Sequence, residues 1–203
     1  MRVALIGASG RAGSEILKEL ISRGHEVTAI ARNDRAIADH PFVTKVSADV
    51  TDLNEIDRAL RGHDTVISSA RFSAISPGDL LWALKRSGVE RLLIVGGAGS
   101  LNAAPGVRLL ETPGFPDAYK PEALAGAAYL DALRAEKEIN WTMLSPSASF
   151  FSGRKTGTFR IDEDDLLTAA DGKSSISFAD FATALVDELE TPRYPRARFT
   201  VGY

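Results

Sequence analysis

The chain has 203 residues, a hydrophobic fraction of 44% and a formal net charge of −3, from 24 Lys and Arg against 27 Asp and Glu. This length and composition predict one globular domain, and the slight acidic excess argues against a general nucleic-acid binder, whose phosphate contacts need a basic surplus. The absence of cysteine excludes disulfides and thiolate sites, and His25, His40 and His63 are too widely spaced for a metal-binding motif, so we expect no metal.

The first half of the chain alternates apolar runs with amphipathic segments. The predicted strands are 2–6, 26–31, 43–46, 64–69 and 91–95, and the predicted helices run from Ile16 to Gly24, from Thr51 to Leu60 and from Ser76 to Gly88. The strands are continuous apolar runs, as expected when helices cover both faces of a sheet. This alternation predicts an α/β fold with a doubly wound parallel sheet, which is a Rossmann-like architecture.

The second half departs from this regular alternation. Its predicted elements are a long loop at 97–118, a helix at 121–137, a strand at 141–145, a Ser/Gly-rich segment at 147–175 with short strand-like pieces, a helix at 178–189 and a strand at 197–202. A loop of about 20 residues is uncommon and tends to be functional. We therefore predict a single domain over 1–203, with a small C-terminal region and a substrate-cleft rim built from 97–118 and 146–176.

A glycine-rich turn, GASGRAG, joins the first strand to the first helix. Gly7 permits a tight turn, Gly10 lets the backbone approach a diphosphate, and Gly13 lets the helix pack closely. The amides and the dipole of the helix favour an anion at this position. The predicted cofactor contacts in this turn are Gly7, Ser9, Gly10, Arg11, Ala12 and Gly13.

The residue after the second strand predicts which dinucleotide binds. A carboxylate there would bind the ribose hydroxyls of NAD, but this chain has Arg32, whose planar guanidinium suits a 2′-phosphate. Arg11 is placed in sequence to reach the same phosphate. NADP(H) is therefore favoured over NAD(H). Asp34 leaves the NAD alternative open, and Arg32 as a solvated loop residue is the structural alternative.

The ends of the next strands add further candidate contacts. Asp49 follows the third strand and is predicted to face the adenine, with Val50 beside it; the alternative is an aspartate that caps the next turn. Ser69 and Ala70 end the fourth strand, where small side chains leave room for a cofactor.

Several segments together resemble the atypical short-chain dehydrogenase/reductases. Within them the chain looks like the NAD(P)H-flavin reductase-like or biliverdin-IXβ-reductase-like proteins, which are related to the NmrA-like proteins. The resemblance is carried by GASGRAG at 7–13, AR at 31–32, ADVTD at 48–52, IVGGAGSL at 94–101, INWTMLSPS at 139–147, and the tail from SISFADFATALVDELE to FTVGY. The superfamily's usual Tyr-x-x-x-Lys pair is missing, since Ala123 and Leu133 stand four residues after Tyr119 and Tyr129.

The resemblance and the missing pair imply a reductase of a flavin or a similar planar conjugated acceptor, with the flavin as substrate rather than bound cofactor. Such a ring spreads the charge of an added hydride, so orientation and solvent protons suffice. The candidates near the reacting centre are the catalytic Ser100, Tyr119 and Lys120, the nicotinamide-pocket residues Gly97, Ser145 and Pro146, and the stacking residues Phe150 and Phe151. Two alternatives stay open: Ser100 caps local backbone, and the two phenylalanines are split between core and surface.

Two other functions fit the same residues. One is a regulatory protein that senses NADP(H) without turnover, and the other is an isomerase or epimerase that uses the nucleotide transiently. No apolar run reaches the ~20 residues of a membrane span, and residues 3–6 are too few for a signal-peptide core. We expect a cytoplasmic monomer or homodimer whose partner is a small planar molecule, with no nucleic acid and no membrane.

Overall fold

The computed structural model describes residues 1–203 as a layered arrangement of strands and helices. The strands are β1 Arg2–Ile6, β2 Glu26–Ala31, β3 Val43–Ser47, β4 Thr65–Ser68, β5 Arg91–Val95, β6 Asn102–Ala104, β7 Val107–Arg108, β8 Asn140–Pro146, β9 Ser149–Phe151, β10 Arg160–Asp162, β11 Ser175–Ser177 and β12 Ala197–Gly202. The helices are α1 Arg11–Ser22, α2 Leu53–Leu60, α3 Pro77–Ser87, α4 Lys120–Ala135 and α5 Phe178–Glu190.

Eight of the strands form one sheet in the order β3-β2-β1-β4-β5-β8-β12-β10. All neighbouring pairs are parallel except β10 and β12. The chain builds outward from β1 to β3 on one side and then returns to β4 on the other side of β1. This reversal leaves a crevice at the carboxyl ends of β1 and β4, where ligands bind in doubly wound sheets. The predicted Rossmann-like fold is confirmed.

Alternation along β1 explains how helices cover both faces of the sheet. Val3 and Leu5 belong to the core beneath α1 and α5, whereas Ala4 and Ile6 belong to the core beneath α2, α3 and α4. All four side chains are fully buried. Successive residues of a strand point to opposite faces, so a strand buried on both sides is a continuous apolar run.

The two segments predicted to form the cleft rim contain short strands. The predicted loop at 97–118 holds the antiparallel hairpin β6–β7, and the Ser/Gly-rich segment holds β9, β10 and β11. Asn102 forms a bridge to Asp165, so the two predicted rim segments are in direct contact. None of the helices combines the length and the apolar character that a membrane crossing requires.

Candidate functional site

A trough crosses the carboxyl ends of β1 and β4. It consists of two adjoining cavities, a large one of about 720 Å³ and a small one of about 580 Å³. Gly10, Ser69, Ala70 and Arg71 line both, so one elongated ligand can occupy the two. The trough therefore lies where the strand order reverses, at the expected ligand position of this fold.

The turn between β1 and α1 forms the floor of the trough, and two of its glycines are sterically required. Gly7 has φ +79°, and a Cβ atom there would lie 2.8 Å from the carbonyl oxygen of Ser69. A Cβ atom on Gly13 would lie 2.1 Å from the carbonyl oxygen of Gly7. These contacts keep β1, β4 and the start of α1 closer together than any side chain would allow.

The first turn of α1 offers unused hydrogen-bond donors to the trough. Gly10 precedes the helix and supplies no side-chain cap, and the first turn contains no acidic residue. The backbone N–H groups of Arg11, Ala12 and Gly13 have no acceptor in the protein. Because Gly10, Arg11 and Ala12 line the large cavity, these amides and the helix dipole form an anion site that fits the diphosphate of a dinucleotide.

The small cavity is lined by Arg32, whose side chain is unpaired, and by Asp49, whose carboxylate already accepts hydrogen bonds from Thr51. Arg32 is exposed on its wall, and its guanidinium makes no hydrogen bond with the protein. The N–H and hydroxyl of Thr51 both donate to Asp49 Oδ1 at 2.9 Å, and these bonds hold the pKa of the Asp49 carboxyl below its usual value. Asp34 begins a single 3₁₀ turn and does not line the cavity. The wall therefore presents a guanidinium, and no NAD-type carboxylate, beside the end of β2.

The large cavity is flanked by aromatic rings. The rings of Phe72, Phe115, Phe150 and Phe178 all line it. The Phe150 centroid lies 4.4 Å from that of Phe178 in an edge-on arrangement, and the Arg11 guanidinium lies 5.7 Å from the Phe178 centroid. Walls of this kind bind flat, conjugated molecules through their faces and edges.

Most of the predicted site residues reach the trough. Those lining at least one cavity are Gly7, Ser9, Gly10, Arg11, Ala12, Arg32, Asp49, Val50, Ser69, Ala70, Gly97, Tyr119, Pro146 and Phe150. Arg11 lines the large cavity only, so it lies apart from Arg32 and not beside it as the sequence suggested. Tyr119 stands at the rim with 66% of its surface exposed.

The structure places Ser100, predicted as a catalytic residue, outside both cavities of the trough. Its hydroxyl accepts a hydrogen bond from the Arg198 guanidinium at 3.2 Å, in a separate small pocket that also contains Asp164. The reason is local: Ala98–Ser100 form a one-turn 3₁₀ helix that rotates Ser100 away from the end of β5.

Three further assignments also change. Lys120 is held outside the cavity by an ion pair with Asp117 at 2.7 Å. Ser145 is fully buried and does not line the trough. Phe151 is 40% exposed and lies against Tyr203, on the opposite face of β9 from Phe150, because successive strand residues alternate. The two adjacent phenylalanines are therefore split between wall and surface.

Several lining residues were not predicted, among them Arg71, Phe72, Phe115, Glu122 and Phe178. Arg71 and Phe72 directly follow Ala70, so their position after β4 could have identified them as candidate lining residues. Phe115 lies within the predicted rim segment. Glu122 and Phe178 stand in the first turns of α4 and α5, and only the packing of those helices brings them to the trough.

Comparison with known proteins agrees with this geometry. The model of the NAD(P)H-binding family matches residues 7–192. The Bacillus subtilis protein YwnB, whose function is uncharacterised, is 42% identical over 99% of this chain and 98% of its own length.

Two solved structures extend the comparison to the fold. A Bacteroides thetaiotaomicron protein proposed to be an epimerase is 38% identical, with a TM-score of 0.95 over 100% of this chain and 96% of that one. A Streptococcus pneumoniae protein proposed to be an NADH-flavin reductase is 37% identical, with a TM-score of 0.82 over 100% of this chain and 99% of that one. The predicted resemblance to NAD(P)H-flavin reductase-like proteins agrees with the second of these structures. The chain belongs to the NAD(P)H-binding family and is an oxidoreductase.

Proposed function

We propose that the protein is an NADPH-dependent reductase that transfers a hydride to a flavin or a similar planar conjugated acceptor. The observation that carries this proposal is the continuity of the trough. Arg32 lines the small cavity, the anion site lies where the two cavities meet at Gly10, and aromatic side chains line the large cavity. A dinucleotide laid across Gly10 would bring its nicotinamide into the same cavity as a flat second ring.

Nucleotide binding is assigned to backbone groups and one cation. The free amides at the start of α1 would bind the diphosphate, where charge-assisted hydrogen bonds are strongest. The unpaired guanidinium of Arg32 would bind the 2′-phosphate, and no carboxylate takes the place of an NAD ribose contact. The Arg32 guanidinium and the missing carboxylate favour NADPH over NADH.

Catalysis in this proposal comes mainly from orientation. Bound NADPH supplies the hydride. Pro146, Gly97 and the aromatic walls of the large cavity confine the two rings so that their faces approach. The cavity has no Tyr-x-x-x-Lys pair to protonate a carbonyl, and Lys120 is paired outside it. A conjugated ring that delocalises the added charge suits this site, with protons supplied by solvent.

The proposal is tested by binding and by turnover. Purified protein is titrated with NADPH and with NADH, and then riboflavin or FMN is added while the absorbance of the reduced nicotinamide is followed. We expect tighter binding of NADPH and an enzyme-dependent loss of absorbance that requires the flavin. Tight binding without oxidation by any flavin or quinone would contradict the proposal and favour a nucleotide sensor.

Gly10→Asp tests in the same experiment whether the diphosphate binds at the start of α1. Aspartate is a favourable residue before a helix, so α1 is expected to keep its start. Its carboxylate would, however, occupy the anion site and repel a diphosphate. We expect NADPH binding to be lost while the free energy of unfolding stays near the wild-type value. Unchanged NADPH affinity in Gly10→Asp would place the diphosphate elsewhere.

A further inference from the structure

A single carboxylate lies on the wall of the large cavity. Glu122, in the first turn of α4, is the only acidic side chain among the lining residues, and it is half-buried. The backbone N–H of Phe72 donates to Glu122 Oε1 at 2.7 Å. Glu122 makes no ion pair, and its Oε2 makes no hydrogen bond with the protein. One acceptor oxygen among aromatic walls is therefore available to a ligand.

The position of this carboxylate is fixed by its neighbours. A Cβ atom on Gly126, one turn further along α4, would lie 2.7 Å from the Phe72 ring, so the ring fills the space that this glycine leaves. Phe72 also packs on Tyr129, with their centroids 5.3 Å apart. Phe72 and Glu122 thus form one rigid unit, an aromatic side chain with a hydrogen-bond acceptor anchored to its backbone.

We propose that Glu122 is a specificity-determining residue that accepts a hydrogen bond from a ring N–H of the acceptor molecule. This inference rests on the proposed reductase function and narrows its substrate class. A carboxylate only accepts hydrogen bonds, and it binds N–H donors strongly where water is partly excluded. The preferred acceptors are therefore nitrogen heteroaromatic rings that carry an imide, lactam or pyrrole N–H. Quinones present carbonyl oxygens, which the carboxylate repels.

The test compares two flavins that differ in one hydrogen-bond donor. Lumiflavin has an imide N–H, and its derivative methylated at the imide nitrogen lacks it. Menadione serves as a quinone without any N–H group. With the wild-type protein and NADPH, we expect kcat/KM for lumiflavin to exceed that for the methylated flavin by about tenfold or more, because a site built around a hydrogen bond discriminates strongly against a ligand that lacks the group.

Glu122→Gln is the decisive variant. Glutamine keeps an oxygen for the Phe72 N–H, but it presents an N–H group where the ligand donor would lie. We expect the preference for lumiflavin to disappear while kcat/KM for menadione stays the same or rises. Asp117→Asn is the matched control, since it removes an exposed negative charge near the start of α4 outside the cavity. It should keep the wild-type preference.

The outcomes separate this inference from the proposed function. Equal use of the two flavins by the wild-type protein, or an unchanged preference in Glu122→Gln, would overturn the inference and leave the reductase standing. Oxidation of NADPH by none of the three compounds would instead count against the reductase itself. Binding of the two flavins in the presence of NADP⁺, followed by flavin fluorescence, gives a readout without turnover. Equal affinities would again overturn the inference.

Discussion

A Cβ atom on Gly13 would lie 2.1 Å from the carbonyl oxygen of Gly7 and 3.2 Å from the Cα of Ala8. The first turn of α1 therefore rests directly on the backbone of the turn that precedes it, with no room for a methyl group. This contact fixes the direction in which the free amides of α1 point. It is the structural basis of the anion site.

Gly13→Ala should disrupt both the fold and the nucleotide site. Backbone atoms cannot yield as a flexible side chain can, so α1 must move outward, and we expect a loss of about 1–3 kcal/mol in the free energy of unfolding. NADPH affinity should fall with it. Gly78→Ala in α3 is the control, because its nearest contact would be Ser76 Oγ at 3.8 Å; it should be neutral or stabilise by up to about 1 kcal/mol. Urea unfolding and NADPH titration measure both effects, and wild-type binding by Gly13→Ala would contradict the account.

Arg32→Glu should change which dinucleotide is bound. The substitution places a carboxylate at the end of β2, where it repels a 2′-phosphate and can accept hydrogen bonds from ribose hydroxyls. We expect NADPH affinity to fall by about tenfold or more and NADH affinity to change much less, since charge-assisted bonds are the stronger ones. Arg35→Glu is the control, because Arg35 does not line the small cavity. An equal loss of both affinities would show that Arg32 does not contact the 2′-phosphate.

Ser100 and Asp164 test whether the pocket around Arg198 is structural. Ser100→Ala should leave kcat within about twofold of wild type, because the hydrogen bond that Ser100 accepts from Arg198 lies outside the trough and contacts no ligand. Asp164→Asn should lower the free energy of unfolding by about 1–3 kcal/mol, since it leaves the buried Arg198 guanidinium without its ion-pair partner. Glu163→Gln is the exposed control. A loss of activity in Ser100→Ala with unchanged stability would restore Ser100 as a catalytic residue.

Asp180 should give the protein a specific sensitivity to acid. Burial alone would raise the pKa of this carboxyl, but hydrogen bonds from Tyr203, Gly157 and Thr156 more than offset it and hold the pKa below its usual value. A depressed folded-state pKa contributes stability above the unfolded value of about 3.9, and that contribution is lost as the pH falls through the folded value.

Asp180→Asn should therefore be destabilising by about 2 kcal/mol or more at neutral pH, and the difference from wild type should shrink below about pH 4. Urea unfolding of both proteins across this range measures it. A difference that stays constant on acidification would show that Asp180 is not ionised in the folded protein. Because Asp180 lies in the first turn of α5, the same variant should also weaken acceptor binding through its neighbour Phe178.

The parts of the fold that sequence analysis predicted are those governed by local chemistry. The spacing of Gly7, Gly10 and Gly13 indicated a tight strand-to-helix turn, and continuous apolar runs such as 91–95 indicated strands covered on both faces. The antiparallel edge strand β10 was predicted only as an unspecified short strand-like piece within 147–175, because three residues that pair with β12 are too few to show an alternation.

The errors at the site arise from contacts between residues distant in the sequence. Ser100 follows a strand end, as ligand contacts often do, but Arg198 lies 98 residues further on and takes its hydroxyl. Glu122 reaches the trough because α4 packs beside the segment after β4, where the backbone N–H of Phe72, 50 residues earlier, donates to its carboxylate. A position after a strand can be predicted from the sequence, whereas the direction of its side chain depends on such partners.

The most direct test of the central claim is a single-turnover experiment without oxygen. The protein loaded with NADPH is mixed with riboflavin, and the absorbances of the reduced nicotinamide and of the oxidised flavin are recorded together. We expect both absorbances to fall at the same rate, with one NADPH consumed for each flavin reduced, and much faster than without protein. Bound NADPH with no change in either absorbance would contradict hydride transfer to a flavin.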